Sequence, residues 1–133
     1  MPHFDSYLFN KKGVKRSLTL ILDEDDNILD SIKTGMQQHN INEAKIESIE
    51  GNMKECLINY FEHNNFKSQI LKNVPIMVAS GSFKLSYGDL YGSMKIATAQ
   101  KPPMQGTLVK GKAAQNLTIK MSFVEYIDLN ENK

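Results

Sequence analysis

The hydrophobic spacing of this chain changes from strand-like to helical in only one place. Ile28, Leu29, Ile32 and Met36 recur at the spacing of one buried helix face. Acidic residues precede them at 23–26, where carboxylates cap free backbone amides and complement the positive end of the helix dipole. The pattern predicts one helix from about Asp25 to about His39, in which Gly35 would allow close packing against a sheet.

Nearly all the remaining patterned segments indicate strands. Residues 117–123 alternate cleanly between apolar and polar side chains, which is typical of a half-buried strand. Leu18–Leu22 is apolar on both faces and is predicted to be a central, buried strand. Turns are predicted at 11–13 and 87–89, and a loop at 101–103. Further strand-like segments lie at 7–9, 44–51, 53–61, 67–71, 75–85 and 90–98.

This order of elements predicts a single α+β domain spanning residues 1–133. We expect a mostly antiparallel, twisted sheet with one main helix. One helix cannot cover both faces of a sheet this wide, so the remaining apolar face predicts association with further copies of the chain. The alternative is a sheet that curls on itself into a closed barrel.

Charge argues against a dedicated nucleic-acid-coating protein. Sixteen basic residues meet fifteen acidic ones, and Arg16 is the only arginine, whereas phosphate binding draws on excess Lys and Arg. The one basic cluster that could contact DNA consists of Lys11, Lys12, Lys15 and Arg16; the alternative is a solvated turn. A lone cysteine, Cys56, excludes an internal disulfide and favours the cytoplasm. No segment resembles a signal peptide or a bilayer span.

Three motif-like patterns lack the residues that their chemistry needs. Gly106–Ala113 approaches a phosphate-binding P-loop, but Ala113 replaces the required hydroxyl and a strand pattern follows instead of a helix. Asp23–Asn27 has carboxylates at calcium-loop spacing but no glycine at the sixth position. The histidines, at positions 3, 39 and 63, share no metal-ligand spacing.

Several segments together resemble the plant-and-prokaryote-conserved (PPC) domain. Residues 44–51, Ala-Lys-Ile-Glu-Ser-Ile-Glu-Gly, are similar to the family's Ala-x-Ile-x-Ser-Ile-x-Gly segment. The helix start at 22–29 resembles Leu-x-x-Gly-Glu-Asp-Leu-Leu, with Asp25 where glycine is usual. Residues 78–83 resemble a Ser-x-x-Gly-x-Ile strand, and 89–94 and 105–111 occupy the places of the family's histidine-bearing segments. The resemblance covers residues 18–127.

The resemblance implies an α/β domain that forms a homotrimer with a pocket near the subunit interface. Where the family has metal-binding histidines, this chain has Asp89, Tyr91 and Thr107, of which tyrosine and threonine are poor zinc ligands. We therefore expect no bound metal and no cofactor. The resemblance places a ligand pocket at Asp89, Tyr91, Gln105, Gly106 and Thr107. Plant members carry an AT-hook, which this chain lacks.

These observations predict a non-enzymatic, homotrimeric binding or regulatory module that takes a partner or small ligand at its interfaces. The second hypothesis is a small-molecule-binding protein or enzyme with a metal-free interface pocket. There Asp89 would be the acid/base group or ligand anchor, with Tyr91, Gln105 and Thr107 as hydrogen-bonding partners. The third is sequence-tolerant DNA association through the basic cluster.

Overall fold

The structure, a computed structural model, describes residues 11–99 and 102–128. Within them lie seven strands and one 11-residue helix. The expectation of an α+β fold is wrong, because strands occupy most of the described chain and the helix is short. The predicted segment at 7–9 lies outside the described residues. The elements are β1 (Lys11–Leu22), α1 (Ile28–Gln38), β2 (Glu43–Glu50), β3 (Asn52–Glu62), β4 (Asn65–Ser86), β5 (Asp89–Thr98), β6 (Gln105–Ala113) and β7 (Leu117–Asp128).

All seven strands form one sheet in which every pairing is antiparallel. The order is β1-β7-β2-β4-β3-β6-β5, and β4 also pairs with β5. The first half of β4 pairs with β3, and its second half lies between β2 and β5. Strands β3, β4, β5 and β6 therefore make a closed circuit of hydrogen-bonded neighbours, while β2, β7 and β1 extend from it as an open sheet.

The helix packs on the inner face of this curled sheet. Its buried side is Ile28, Ile32, Gly35 and Met36, which contact a core that includes Met53, Ile119 and Met121. A Cβ atom on Gly35 would lie 2.8 Å from Leu20 Cδ2, so the glycine allows helix and strand to approach closely. Asn27 caps the helix by accepting a hydrogen bond from the Asp30 amide at 3.0 Å.

β1 is an edge strand and not the buried central strand that its apolar run predicts. It pairs only with β7 among the described strands, and Ile21 is 68% exposed. Residues 11–13 belong to this strand and do not form the predicted turn. The predicted turn at Tyr87–Gly88 is confirmed, with both residues at positive φ.

The hairpin of β3 and β4 forms an arm, residues 59–70, which extends beyond the rest of the sheet as a two-stranded ribbon at residues 60–67. β6 pairs with β3 only as far as Asn59, whereas the pairing of β3 with β4 continues to Glu62 and Asn65. Every residue from 61 to 70 is exposed. A two-stranded ribbon has no third layer to bury its side chains and is marginally stable on its own in water.

Candidate functional site

The five residues of the predicted pocket lie on β5 and β6. Asp89 begins β5 opposite Ser86, and Tyr91 lies opposite Lys84. Gln105 and Thr107 lie near the start of β6, opposite Ala97 and Lys95. Because side chains alternate between the faces of a strand, Asp89, Tyr91 and Lys95 share one face of β5.

Within the chain, these residues form two separate groups. Asp89 and Lys95 are six residues apart on β5, which is about 20 Å at strand spacing, and Thr107 lies beside Lys95. Gly106 sits between the two outward residues, and a Cβ atom there would lie 2.7 Å from the Asn59 carbonyl oxygen. The structure therefore brings Gln105 and Thr107 together but places Asp89 at the far end of the strand.

Two shallow depressions open on other parts of the molecule. One, of about 300 Å³, lies between the end of α1 and the β4–β5 turn and is lined by Met36, Asn40, Leu85 and Tyr87, among others. The second lies between α1 and β1, and Leu20, Asp30 and Gly35 are among its lining residues. Neither contains a residue of the predicted pocket. Residues 11–99 and 102–128 contain no group of three or more His, Cys, Asp or Glu side chains arranged to hold a metal ion.

The predicted DNA-contacting cluster lies along β1, and two of its cations have acidic partners. Lys15 Nζ lies 3.4 Å from Glu47 Oε1, and Arg16 Nε lies 3.3 Å from Glu125 Oε1. Strand alternation places Lys12 and Arg16 on one face and Lys15 on the other. Lys11 is the first residue of β1, and its side chain lies outside the described set. The cluster is therefore divided between two faces and partly neutralised.

The acidic loop before the helix is partly neutralised by a lysine from β3. Lys54 Nζ lies 2.9 Å from Asp25 Oδ1 and 3.1 Å from Glu24 Oε2. These hydrogen bonds, that to Asp25 first, raise the pKa of Lys54 above its ordinary value. The loop is also anchored to β6, since the Asp25 amide donates to the Ala113 carbonyl at 2.9 Å. The P-loop-like segment Gly106–Ala113 lies entirely within strand β6.

Cys56 is a packing residue on the inner side of β3. Burial raises the pKa of its thiol to about 11, so almost none of it is thiolate at neutral pH. A thiol without thiolate character is a weak nucleophile.

Sequence reasoning did not identify the aromatic side chains of the arm. Phe61 and Phe66 are direct cross-strand partners, with ring centroids 5.0 Å apart in an edge-to-face arrangement. They are 59% and 83% exposed, and Ile70 on the same face is 58% exposed. The available signal was the pair of phenylalanines on either side of the His63–Asn64 turn, but sequence alone does not say which face of the hairpin is covered.

No family model and no curated protein matches the chain. Among solved structures, a PPC protein from Pyrococcus horikoshii matches with a TM-score of 0.68 at 19% identity, covering 86% of this chain and 82% of that one. A candidate DNA-binding protein from Ralstonia eutropha JMP134 matches with a TM-score of 0.66 at 16% identity, covering 80% and 76%. A metal-containing protein from Archaeoglobus fulgidus matches with a TM-score of 0.66 at 14% identity, covering 94% and 87%.

These similarities establish that the chain has a PPC-like fold, as the sequence resemblance predicts. Sequence identities this low support a shared architecture only, and function has to be argued from the site itself. No helix among the described residues is long and apolar enough to cross a membrane.

Proposed function

We propose that this protein is a PPC-like module that assembles with copies of itself, as a homotrimer, and binds a partner or small ligand where the subunits meet. The observation that carries the proposal is the exposed apolar face of the arm, with Phe61, Phe66 and Ile70. The number three comes from the resemblance to the PPC domain. The closed circuit of β3 to β6 leaves this face uncovered, so a second copy is the simplest way to bury it.

The opposite face of the arm is polar, so the two faces of the arm differ in polarity. Lys67 Nζ lies 3.0 Å from Glu62 Oε1, and Tyr60 Oη donates to Gln69 Oε1 at 3.4 Å. A two-stranded ribbon that is polar on one side and aromatic on the other is suited to lie on another protein surface. Aromatic residues at the centre of such contacts contribute a large part of the binding free energy.

The test is the mass of the protein in solution, measured by light scattering over a range of micromolar concentrations. We expect a trimer for the natural chain and a monomer for the double variant Phe61→Ser/Phe66→Ser. Val124→Ser is the matched control, because Val124 is also exposed, at 54%, but lies on β7. A natural chain that is monomeric throughout the range would rule the proposal out.

The second candidate function is ligand binding by Asp89, Tyr91, Gln105, Gly106 and Thr107 contributed by different subunits. The separation of about 20 Å along β5 means that one protomer cannot close a small pocket around all five. A neighbouring subunit could supply the missing side. Thermal shift screening against small anions and metabolite-like acids tests this hypothesis: a ligand whose effect disappears in Asp89→Asn supports it. A ligand that shifts the melting temperature equally in Asp89→Asn and in Thr107→Val would show that these residues do not bind it.

A further inference from the structure

Four lysines stand on the outer side of β4, β5 and β6, and we call Lys72, Lys95, Lys110 and Lys112 the lysine face. The strand register orders them in rows across the sheet. One row is Lys112–Glu55–Lys72, and the next is Lys110–Leu57–Ile70. A third row is Lys95–Thr107–Asn59. All four lysines are exposed.

Within the described residues the lysine face has no acidic partner, a property that it shares with Lys12, Lys33, Lys45 and Lys120. Lys15, Arg16, Lys54, Lys67 and Lys84 each lie within 4.0 Å of a carboxylate. Among the described residues, none of the four lysines of this face makes an ion pair. Glu55 is the only acidic side chain in the three rows, so the face carries a net charge of about +3.

A β-bulge in β6 helps to build this face. The register with β3 shifts between Leu57 and Ile58, so Val109 and Lys110 both point outward between the buried Leu108 and Gly111. Lys110 and Lys112 are two residues apart, about 7 Å, and Lys112 and Lys72 are two strand spacings apart, about 10 Å. The half-buried Leu57 and the exposed Val109 are apolar side chains that lie among the lysines.

We propose that the lysine face binds single-stranded nucleic acid through its phosphates. Unpaired lysines on successive rows match a polymer with a charge on every unit. The apolar side chains between them can bury part of the surface of unstacked bases, which a duplex does not offer. The face has no arginine to read base edges, so binding should tolerate any sequence. It does not need the arm's aromatic pair, and it does not depend on the β1 cluster, where Lys15 and Arg16 are already paired.

Binding is measured by the fluorescence anisotropy of a labelled 20-nucleotide oligothymidylate titrated with the full chain at several salt concentrations. The test variant changes Lys72, Lys95, Lys110 and Lys112 to Gln. The matched control removes four cations elsewhere: Lys12, Lys15, Arg16 and Lys45 to Gln. We expect the test variant to bind about tenfold more weakly or worse, and the slope of log affinity against log salt to fall by about 3, at 0.7 per lost phosphate contact. The control should keep most of its affinity.

Further variants and ligands distinguish binding of single-stranded nucleic acid from the alternatives. Changing the four lysines to Arg should preserve binding, which shows that charge and not lysine packing matters. Equal losses in the test and control variants would mean unspecific attraction and overturn the proposal, as would tighter binding to a 20-base-pair duplex. Binding of the natural chain to phosphatidylserine vesicles but not to the oligonucleotide would assign the face to membranes instead. Light scattering on the Gln variant separates this inference from self-assembly: an unchanged mass supports it, and a lower mass would make the face a subunit interface and overturn it.

Discussion

Strand β7 and the β3–β4 arm both carry large apolar side chains on one face but have opposite surroundings. In β7, Leu117, Ile119 and Met121 are at most 1% exposed because the inner face of the sheet lies under the core and helix. In the arm, Phe61, Phe66 and Ile70 also share one face, together with the polar pair Asn59 and Ser68, and are more than half exposed. The comparison teaches that apolar side chains on one strand face mark a face that needs cover, while the cover itself can come from the same chain or from another.

The largest expected effect on the free energy of unfolding comes from comparing one substitution in each region. Ile119→Ala removes a fully buried side chain and should lower the free energy of unfolding by about 2–5 kcal/mol. Phe66→Ala removes a larger side chain that is 83% exposed, and should change that of the dilute monomer by about 0.5 kcal/mol or less. Urea denaturation of both variants at low protein concentration checks this, and equal losses would erase the distinction between the two regions.

A glycine comparison extends the test to the closed circuit of strands. Gly81 has φ of 151°, and a Cβ atom there would overlap the Ser93 carbonyl oxygen of β5. Gly81→Ala should therefore lower the free energy of unfolding by about 3 kcal/mol or more. Gly88, at φ of 81° in the exposed turn, meets no atom within 4 Å, so Gly88→Ala should cost about 1 kcal/mol. Thermal melts of the two variants rank them, and the reverse order would mean that β4 and β5 are not closely packed there.

Removing the cap of helix α1 should have a smaller effect on the free energy of unfolding. Asn27→Ala removes the side chain that accepts from the Asp30 amide and should lower the free energy of unfolding by about 1 kcal/mol. Asn42→Ala is the control, since Asn42 contributes a backbone carbonyl to the Leu85 amide, which alanine retains. Chemical denaturation measures both. A cap variant as stable as its control would show that α1 is held by packing alone.

The smallest expected effect is electrostatic and lies in the arm. The hydrogen bond from Lys67, and then its charge, lowers the pKa of Glu62 below the ordinary value. Because the folded-state pKa is the lower one, the stabilisation is present above the unfolded-state pKa and is lost as pH falls through the folded-state value. NMR titration of the Glu62 carboxyl should show the lowered pKa, and Lys67→Gln should return it toward normal. An unchanged pKa in Lys67→Gln would mean that the arm does not hold this pair in solution.

Helix α1 and strand β7 could largely be predicted from the sequence. The helix was expected at 25–39 and spans 28–38, and the alternation at 117–123 marks β7 correctly. These elements obey one period along their length, so local pattern and tertiary burial agree. The hairpin turn at Tyr87–Gly88 also carries its own signal, because glycine tolerates positive φ there.

The strands that curl the sheet could not be predicted in the same way. β4 is a single 22-residue strand that continues through Asn73 at φ of 53° and through Pro75, which sequence reasoning takes as the start of a new strand. Bulges in β2, β3, β4 and β6 each interrupt the alternation by turning two successive residues outward. The outward position of Lys110 on the lysine face depends on one of these interruptions, so this candidate surface emerges only from the three-dimensional register.

The most direct test of the account is hydrogen–deuterium exchange followed by mass spectrometry at low and high protein concentration. If copies of the chain cover the arm, amides in residues 59–70 should exchange rapidly when dilute and become protected as concentration rises. Amides in residues 117–122 should be protected at both concentrations, because the fold itself covers them. Rapid exchange throughout the arm at every concentration would contradict the claim that another copy covers its aromatic face.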